Sequence, residues 1–184
     1  MFKKIILTLL IIVLVISCGL ILVSRLTDKP EPVKPVDPKP VDPVVEMKEI
    51  DAAVYFTDAA ADKLIKQDVK ISVEKDEDKY LAVIEKLIEG PTGPDLHPAI
   101  SSFTKVNSVS FKDGLCTVDF TESLLLYNEG GTLRETMCLY SVVNTLCEFG
   151  EVKSVSFTVD GKKIETFGHL DLSEPYTKNP KLVK

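Results

Sequence analysis

The sequence predicts an α+β fold, a small mixed β-sheet with two amphipathic helices on one face. Three observations carry that expectation. Val69, Ile71 and Val73 alternate with Lys70, Ser72 and Glu74, the period of a half-buried strand. Asp113-Gly114 stands between two alternating runs, a strong short-range hairpin signal. Residues 80–88 and 139–146 repeat apolar side chains at helical spacing.

Composition bounds what such a domain can do. The 184 residues are 45% apolar and 27% charged, with 9 Gly, 11 Pro, 4 Cys, no Trp and a net charge of −6. These values exclude a collagen, a disulfide-dense mini-protein and wholesale disorder. From residue 46 onward, 16 lysines and arginines stand against 24 aspartates and glutamates, a balance of −8. That surface repels phosphate backbones, so no nucleic-acid partner is expected.

The first 27 residues read as a membrane anchor. Met1-Phe2-Lys3-Lys4 is a basic start, and residues 5–23 carry no charge. At about 1.5 Å per residue that stretch reaches roughly 28 Å, close to the hydrocarbon thickness of a bilayer. The same residues resemble a bacterial lipoprotein signal, with Val15-Ile16-Ser17-Cys18 matching the lipobox and Cys18 as the lipidation site. Both readings, single span and lipid anchor, hold the rest of the chain at the extracytoplasmic face of the membrane. Residues 28–46 hold six of the eleven prolines, at 30, 32, 35, 38, 40 and 43. Proline at that density excludes helix and sheet, so the segment reads as a polyproline stalk on the order of 55 Å long.

Residues 47–184 form the folded module. Residues 52–56 are a short β-like run, followed by the alternating strand around Ile71. Asp76-Glu77-Asp78 puts negative charge at a helix N-terminus; Tyr80, Leu81, Ile84, Leu87 and Ile88 follow at helical spacing, and Gly90-Pro91 stops the helix. Counting outward from the Asp113-Gly114 turn pairs Lys112 with Leu115, Phe111 with Cys116, Val109 with Val118 and Asn107 with Phe120. Phe111 and Val109 then face inward, while Ser108, Ser110, Thr117 and Asp119 share the outer face. Thr132-Leu133-Arg134-Glu135 reads as a capping box opening a helix that buries Leu139, Val142, Val143 and Leu146 and ends at Gly150. Val155, Phe157 and Val159 make a further strand, and Asp160-Gly161 turns it toward Ile164. Residues 106–111 and 152–157 are nearly the same string, which chance alternation accounts for better than duplication.

Catalytic patterns are missing. The two histidines, His97 and His169, lie in no nucleophile or zinc motif, and their nearest acids, Asp95 and Asp171, are too few to make a metal site. Gly130-Gly131 lacks phosphate-loop spacing. Asp119 reads as a solvated strand acid, with a hydrolase using Asp119 and a histidine as the enzymatic alternative. Cys116, Cys138 and Cys147 read as buried free thiols, with a Cys116–Cys138 disulfide as the alternative. No cofactor or metal is expected.

In order and spacing these residues resemble the GerMN domain of bacterial sporulation and spore-germination proteins. The likeness runs over residues 50–180. It rests on Val54-Tyr55-Phe56, Leu87-Ile88-Glu89-Gly90-Pro91, the string from Val109 through Asp113-Gly114 to Thr121, Val143-Asn144-Thr145-Leu146, Val159-Asp160-Gly161, and Phe167-Gly168-His169-Leu170-Asp171-Leu172-Ser173. Gly90, Pro91, Asp113, Gly114, Asp160, Gly161 and Gly168 are its structural positions. The best-known members carry two such domains in tandem, whereas this chain has room for one. The resemblance implies a non-enzymatic, membrane-tethered extracytoplasmic module, similar in fold to the ring-building domains of sporulation and secretion complexes. The anchor, stalk and domain layout with no catalytic constellation points to an envelope protein or further copies of the chain as partners, met through the sheet's outer face at Ser108, Ser110, Thr117 and Asp119 or through helix edges. A binding lipoprotein for a cell-wall glycan or small ligand is the alternative.

Overall fold

The computed structural model describes residues 47–128 and 130–184. The expected anchor, Cys18 and the stalk lie outside the described residues. The chain enters β1 (Lys48–Thr57), which pairs antiparallel with β2 (Leu64–Val73) over ten residues each. The alternation seen in sequence at Val69, Ile71 and Val73 extends over this longer hairpin. Its two faces are both used near the β1 end: Val54, Phe56, Ile71 and Val73 enter the main core, whereas Tyr55 and Leu64 pack with Ala99 and Met137 in a second cluster. That double burial explains why Ala53 through Thr57 are all buried.

A single 3-10 turn (Asp76–Asp78) leads into α1 (Lys79–Glu89), which buries Tyr80, Val83, Ile84 and Leu87. It stops where sequence places the break, at Gly90. β3 (Val106–Lys112) and β4 (Leu115–Phe120) then form the hairpin around Asp113 and Gly114, whose φ values of 50° and 86° suit a type I′ turn. The counted register holds from Lys112↔Leu115 to Ser108↔Asp119, but not at the far end, where Val106 pairs with Phe120 across a bulge. The bulge releases Asn107 from the ladder and lets its side chain reach Asp119. A second departure concerns burial. Val109 is half-buried and Phe111 is 38% exposed, because β3 is the sheet's edge; the Tyr80 ring packs 5.2 Å from that of Phe111.

After the short α2 (Ser123–Tyr127) comes α3 (Thr132–Leu146), then β5 (Ser154–Val159) parallel to β4, and β6 (Lys162–Lys163) antiparallel to β5. The mixed sheet therefore runs β3-β4-β5-β6. Cys116, Val118 and Phe120 of β4 and Val155 and Phe157 of β5 meet α1 and α3 in one core. The fold is α+β as expected, with one correction: the first two strands form a sheet of their own instead of joining the mixed sheet. α2 and the small hairpin of β7 (Thr166–Phe167) and β8 (Leu170–Asp171) are additions that periodicity does not reveal, being too short to show a period.

The capping box at Thr132 does not form. Gly131 is the N-cap, with φ 87° and no side-chain cap, so Thr132 lies inside the helix. Glu135 turns inward instead and is 2% exposed. Its carboxylate accepts the backbone N–H of His169 at 2.9 Å and lies 3.1 Å from that residue's Nδ1. Burial on α3 also exceeds the expected single face, since Ser141, Asn144 and Thr145 are all buried. The C-terminal tail covers this second side: Asn179 N–H donates to Asn144 Oδ1 and the Asn144 amide donates to Asn179 O. Cys116 and Cys138 are buried free thiols, so the alternative disulfide is not formed, whereas Cys147, also free, is only partly buried at the C-terminal end of α3.

Gly168 seats the β7–β8 turn directly on Glu135. Its φ is 57°, and a Cβ there would stand 2.2 Å from the Glu135 carboxylate carbon. Gly168→Ala is expected to destabilise the protein by about 2 kcal/mol or more, combining backbone strain with expulsion of a buried carboxylate from its partners. Thermal unfolding of the purified variant beside the parent measures it, and an unchanged midpoint would refute the contact.

Candidate interaction surfaces

The outer face of the mixed sheet carries Ser108, Ser110, Thr117 and Asp119, joined by Ser156 and Thr158 of β5. Strand alternation places all six opposite the core. Thr117 and Ser156 share a hydrogen bond of 2.9 Å between neighbouring strands. Asp119 is more heavily committed. Its Oδ1 accepts Thr158 Oγ1–H at 2.6 Å and Gly161 N–H at 2.8 Å, and Oδ2 accepts the Asn107 amide at 2.9 Å. The Thr158 hydrogen bond above all, then those from Gly161 and Asn107, hold its carboxyl below the usual range. Asp119 is therefore a tie joining the β3 bulge, β5 and the Asp160-Gly161 turn, which corrects its reading as a solvated acid. No histidine is among its hydrogen-bond partners: His169 engages Glu135, and His97 closes the end of β1 through paired backbone bonds with Thr57.

Two further carboxylates fasten α3 and the loop behind it. Glu148 accepts Tyr55 O–H at 2.8 Å, lies 3.0 Å from the Lys66 ammonium and also pairs with Lys178. Burial opposes its charge, but the hydrogen bonds from Lys178, Lys66 and Tyr55 prevail and bring its pKa to about 2. Glu151 accepts from Lys79 at 2.8 Å and from Tyr80 O–H at 2.9 Å; the Lys79 bond leads in bringing its pKa to about 2. Burial pushes the Cys116 thiol up to about 12, which keeps it protonated and unreactive. Among the described residues, no group of three or more His, Cys, Asp or Glu side chains is arranged to hold a metal ion.

The side chains that sequence reasoning overlooked are apolar and outside. Phe103 is 69% exposed, Leu126 62%, Tyr127 49% and Leu133 54%. Phe103 and Tyr127 stand 5.5 Å apart with rings tilted at 44°. Buried Asn128 holds both in place: its Oδ1 accepts Ser101 N–H at 2.7 Å, and its amide donates to Thr104 Oγ1 at 2.8 Å and to Leu124 O at 3.0 Å. The loop bearing Phe103 is thereby clamped to the end of α2. One sequence signal could have found this patch. Leu124-Leu125-Leu126-Tyr127 is a four-residue apolar run on a helix of five residues, and so short a helix cannot bury four successive side chains.

Residues 53–165 match the Germane family, described as sporulation and spore germination. No protein of curated function matches the chain. Among solved structures it is similar to a candidate lipoprotein from Clostridium perfringens, with 25% identity and a TM-score of 0.52 over 74% of this chain and 93% of that one. It is also similar to the tandem GerMN domains of the sporulation protein GerM from Bacillus subtilis, with 25% identity and a TM-score of 0.53 over 78% of this chain and 50% of that one. The first GerMN domain of the same protein aligns with a TM-score of 0.55 at 20% identity, over 70% of this chain and 97% of that one, a likeness of fold.

Two outcomes follow from the carboxylate ties. Asp119→Ala removes the hydrogen bonds that join Asn107, Thr158 and Gly161, and is expected to cost about 1 kcal/mol in urea unfolding; unchanged stability would refute the tie. The lowered pKa values of Glu148 and Glu151 predict stabilisation that is complete above the ordinary carboxylate value of about 4.3 and lost as pH falls toward 2. In the Glu148→Gln/Glu151→Gln variant the loss of stability between pH 4.3 and 2 should be visibly shallower; an identical slope would show that these groups titrate normally.

Proposed function

The chain belongs to the Germane family of sporulation and spore germination domains, and from that membership we propose that it is a non-enzymatic, membrane-tethered protein-interaction module on the extracytoplasmic side of a bacterial membrane. The observation that carries this reading is the exposed aromatic pair of Phe103 and Tyr127, beside which Leu126 is exposed on the same short helix as Tyr127. Aromatic side chains displayed at low entropy cost on an ordered surface are the residues that anchor protein interfaces. Tethering is supported by the lipobox at Cys18 and the uncharged stretch of residues 5–23, and by the similarity to a candidate lipoprotein. Cys18 is assigned as the lipidation site, and residues 28–46 as the spacer that lifts the domain from the bilayer. The partner is an envelope protein or another copy of the chain. Ser108, Ser110 and Thr117 offer a second, polar contact surface, to which Asp119 contributes structure.

One observation favours the glycan alternative. The Phe103–Tyr127 pair supplies an exposed aromatic surface on which a sugar ring can stack. A photo-reactive residue at Leu126 in the full-length, membrane-inserted protein separates the two readings. A protein adduct that falls tenfold or more in the Phe103→Ser/Tyr127→Ser variant is expected for an interaction surface. Adducts to peptidoglycan fragments alone would favour the glycan, and an adduct unaffected by the double substitution would remove the aromatic pair from the interface.

A further inference from the structure

The mixed sheet ends on β3. In a hairpin closed by a two-residue turn, Lys112 and Leu115 exchange both backbone bonds, and bonded and non-bonded pairs alternate from there. Val109 and Phe111 fall in non-bonded pairs, so their N–H and C=O groups point away from β4, toward the sheet's free edge. Among the described residues no turn, loop or side-chain hydrogen bond reaches them. Their side chains share the helix side of the sheet with Cys116 and Val118. There a cleft of about 500 Å³ is lined by Val109, Phe111, Tyr80 and the turn of Asp76, Glu77 and Asp78, so an open backbone edge, an aromatic wall and three carboxylates border one space. Its charge is one-sided. Lys79 is already engaged by Glu151 at 2.8 Å and Asp76 at 3.1 Å, and Lys75 comes only to 4.0 Å from Glu77. The Asp76 and Glu77 side chains remain 71% and 77% exposed. Strand alternation places Lys112 on the opposite face.

We propose that this edge docks an extended, basic segment of a partner protein, which adds to the mixed sheet beside β3 and sets lysine or arginine side chains against Asp76 and Glu77. The N–H donors and carbonyl acceptors of Val109 and Phe111 supply the main-chain pairing, which is the source of affinity when a strand is added to an edge. Selectivity comes from the side chains. Alternate residues of the added strand project to the helix side, where the cleft offers the exposed part of the Phe111 ring together with the carboxylates. A long cationic side chain suits both, with its methylene stem on the ring and its charged end among the acids. The intervening residues project to the outer face beside Ser108 and Ser110, where small hydroxyl side chains fit. An acidic strand is repelled. A second copy of β3 is disfavoured for the same reason, because it would bring two such clefts together in a domain whose balance is already −8. The bulge between Val106 and Ser108 ends the regular ladder, so pairing is confined to residues 108–112. This inference rests on the reading of the chain as an interaction module but uses a surface separate from Phe103 and Tyr127.

Fluorescence anisotropy with the full-length protein in detergent tests both halves of the proposal. The probe is a labelled peptide that alternates arginine with threonine. Two control peptides accompany it: one with glutamate in place of each arginine, and one with the arginines kept but every backbone nitrogen methylated, which retains the charge and loses every donor. The arginine peptide is expected to saturate below about 1 mM, and both controls to bind about tenfold more weakly or worse. The Asp76→Asn/Glu77→Gln variant should weaken the arginine peptide to a similar degree. Val109→Pro removes an outward N–H without breaking a bond to β4, so it should weaken the peptide likewise while leaving thermal unfolding near that of the parent. If Val109→Pro lowers the unfolding midpoint instead, the methylated peptide decides the backbone pairing. Equal affinity for the arginine and glutamate peptides would overturn the proposal, as would arginine-peptide binding that survives backbone methylation or loss of the two carboxylates. So would the absence of saturable binding by about 1 mM. Each of these leaves the Leu126 crosslink, and with it the aromatic surface, to stand or fall separately.

Discussion

The parallel pairing of β4 with β5 is the constraint on which the remainder of the domain depends. Six consecutive residues pair, from Leu115↔Ser154 to Phe120↔Val159. Two parallel neighbours cannot be joined by a tight turn, so the connection must cross the sheet and return. Residues 121–153 make that crossing, and α3 is its main element. Burying Val142, Val143 and Leu146 of α3 against Cys116, Val118 and Phe157 fills the core and fixes where the helix lies. Everything attached to α3 is then placed, including the β1–β2 hairpin and the C-terminal tail, which bridges to β2 at Leu64↔Val183.

These attachments are largely made by carboxylates. Glu135 holds the β7–β8 turn, Glu148 gathers Tyr55, Lys66 and Lys178, and Glu151 ties α1 through Lys79 and Tyr80. Asp119 does the same for the open end of the β3–β4 hairpin. Four of the 24 acids from residue 46 onward thus act as internal fastening, held by charge-assisted hydrogen bonds from lysines, hydroxyls and backbone N–H groups. The consequence for function is that these carboxylates are poor candidates for acid–base chemistry. Phe103, Leu126 and Tyr127 stay exposed, and β3 lies at the edge of the mixed sheet.

Local chemistry was legible wherever a short segment carried its own signal. The Asp113-Gly114 turn and five of the hairpin's pairs follow from counting residues, because turn geometry sets register. The Gly90 stop of α1 and the apolar stripe of α3 were readable for similar reasons. Signals that depend on a distant partner were not. The capping box at Thr132 has suitable residues, yet Glu135 finds a better partner 34 positions away in His169. The bulge at Val106 exists because Asn107 has a use at Asp119, which no local pattern announces. The exposed aromatic pair was missed because inward-facing positions are the default for Phe, and only the packing of Asn128 between two loops turns Phe103 outward.

Residues 106–111 and 152–157 show where the boundary lies. Both read Val-x-Ser-Val-Ser-Phe, and by itself the sequence determines that each is a strand with one apolar face. In the structure the first is an edge strand whose Phe111 is 38% exposed, and the second is an interior strand whose Phe157 is 4% exposed. Periodicity is encoded within six residues and survives any placement. Neighbours are not, because which strand is covered on both edges depends on where the crossover through α3 returns the chain. The sequence determined the main strands and helices, their tight turns and the family to which they belong; tertiary structure alone decided which strand would lie at the sheet's edge.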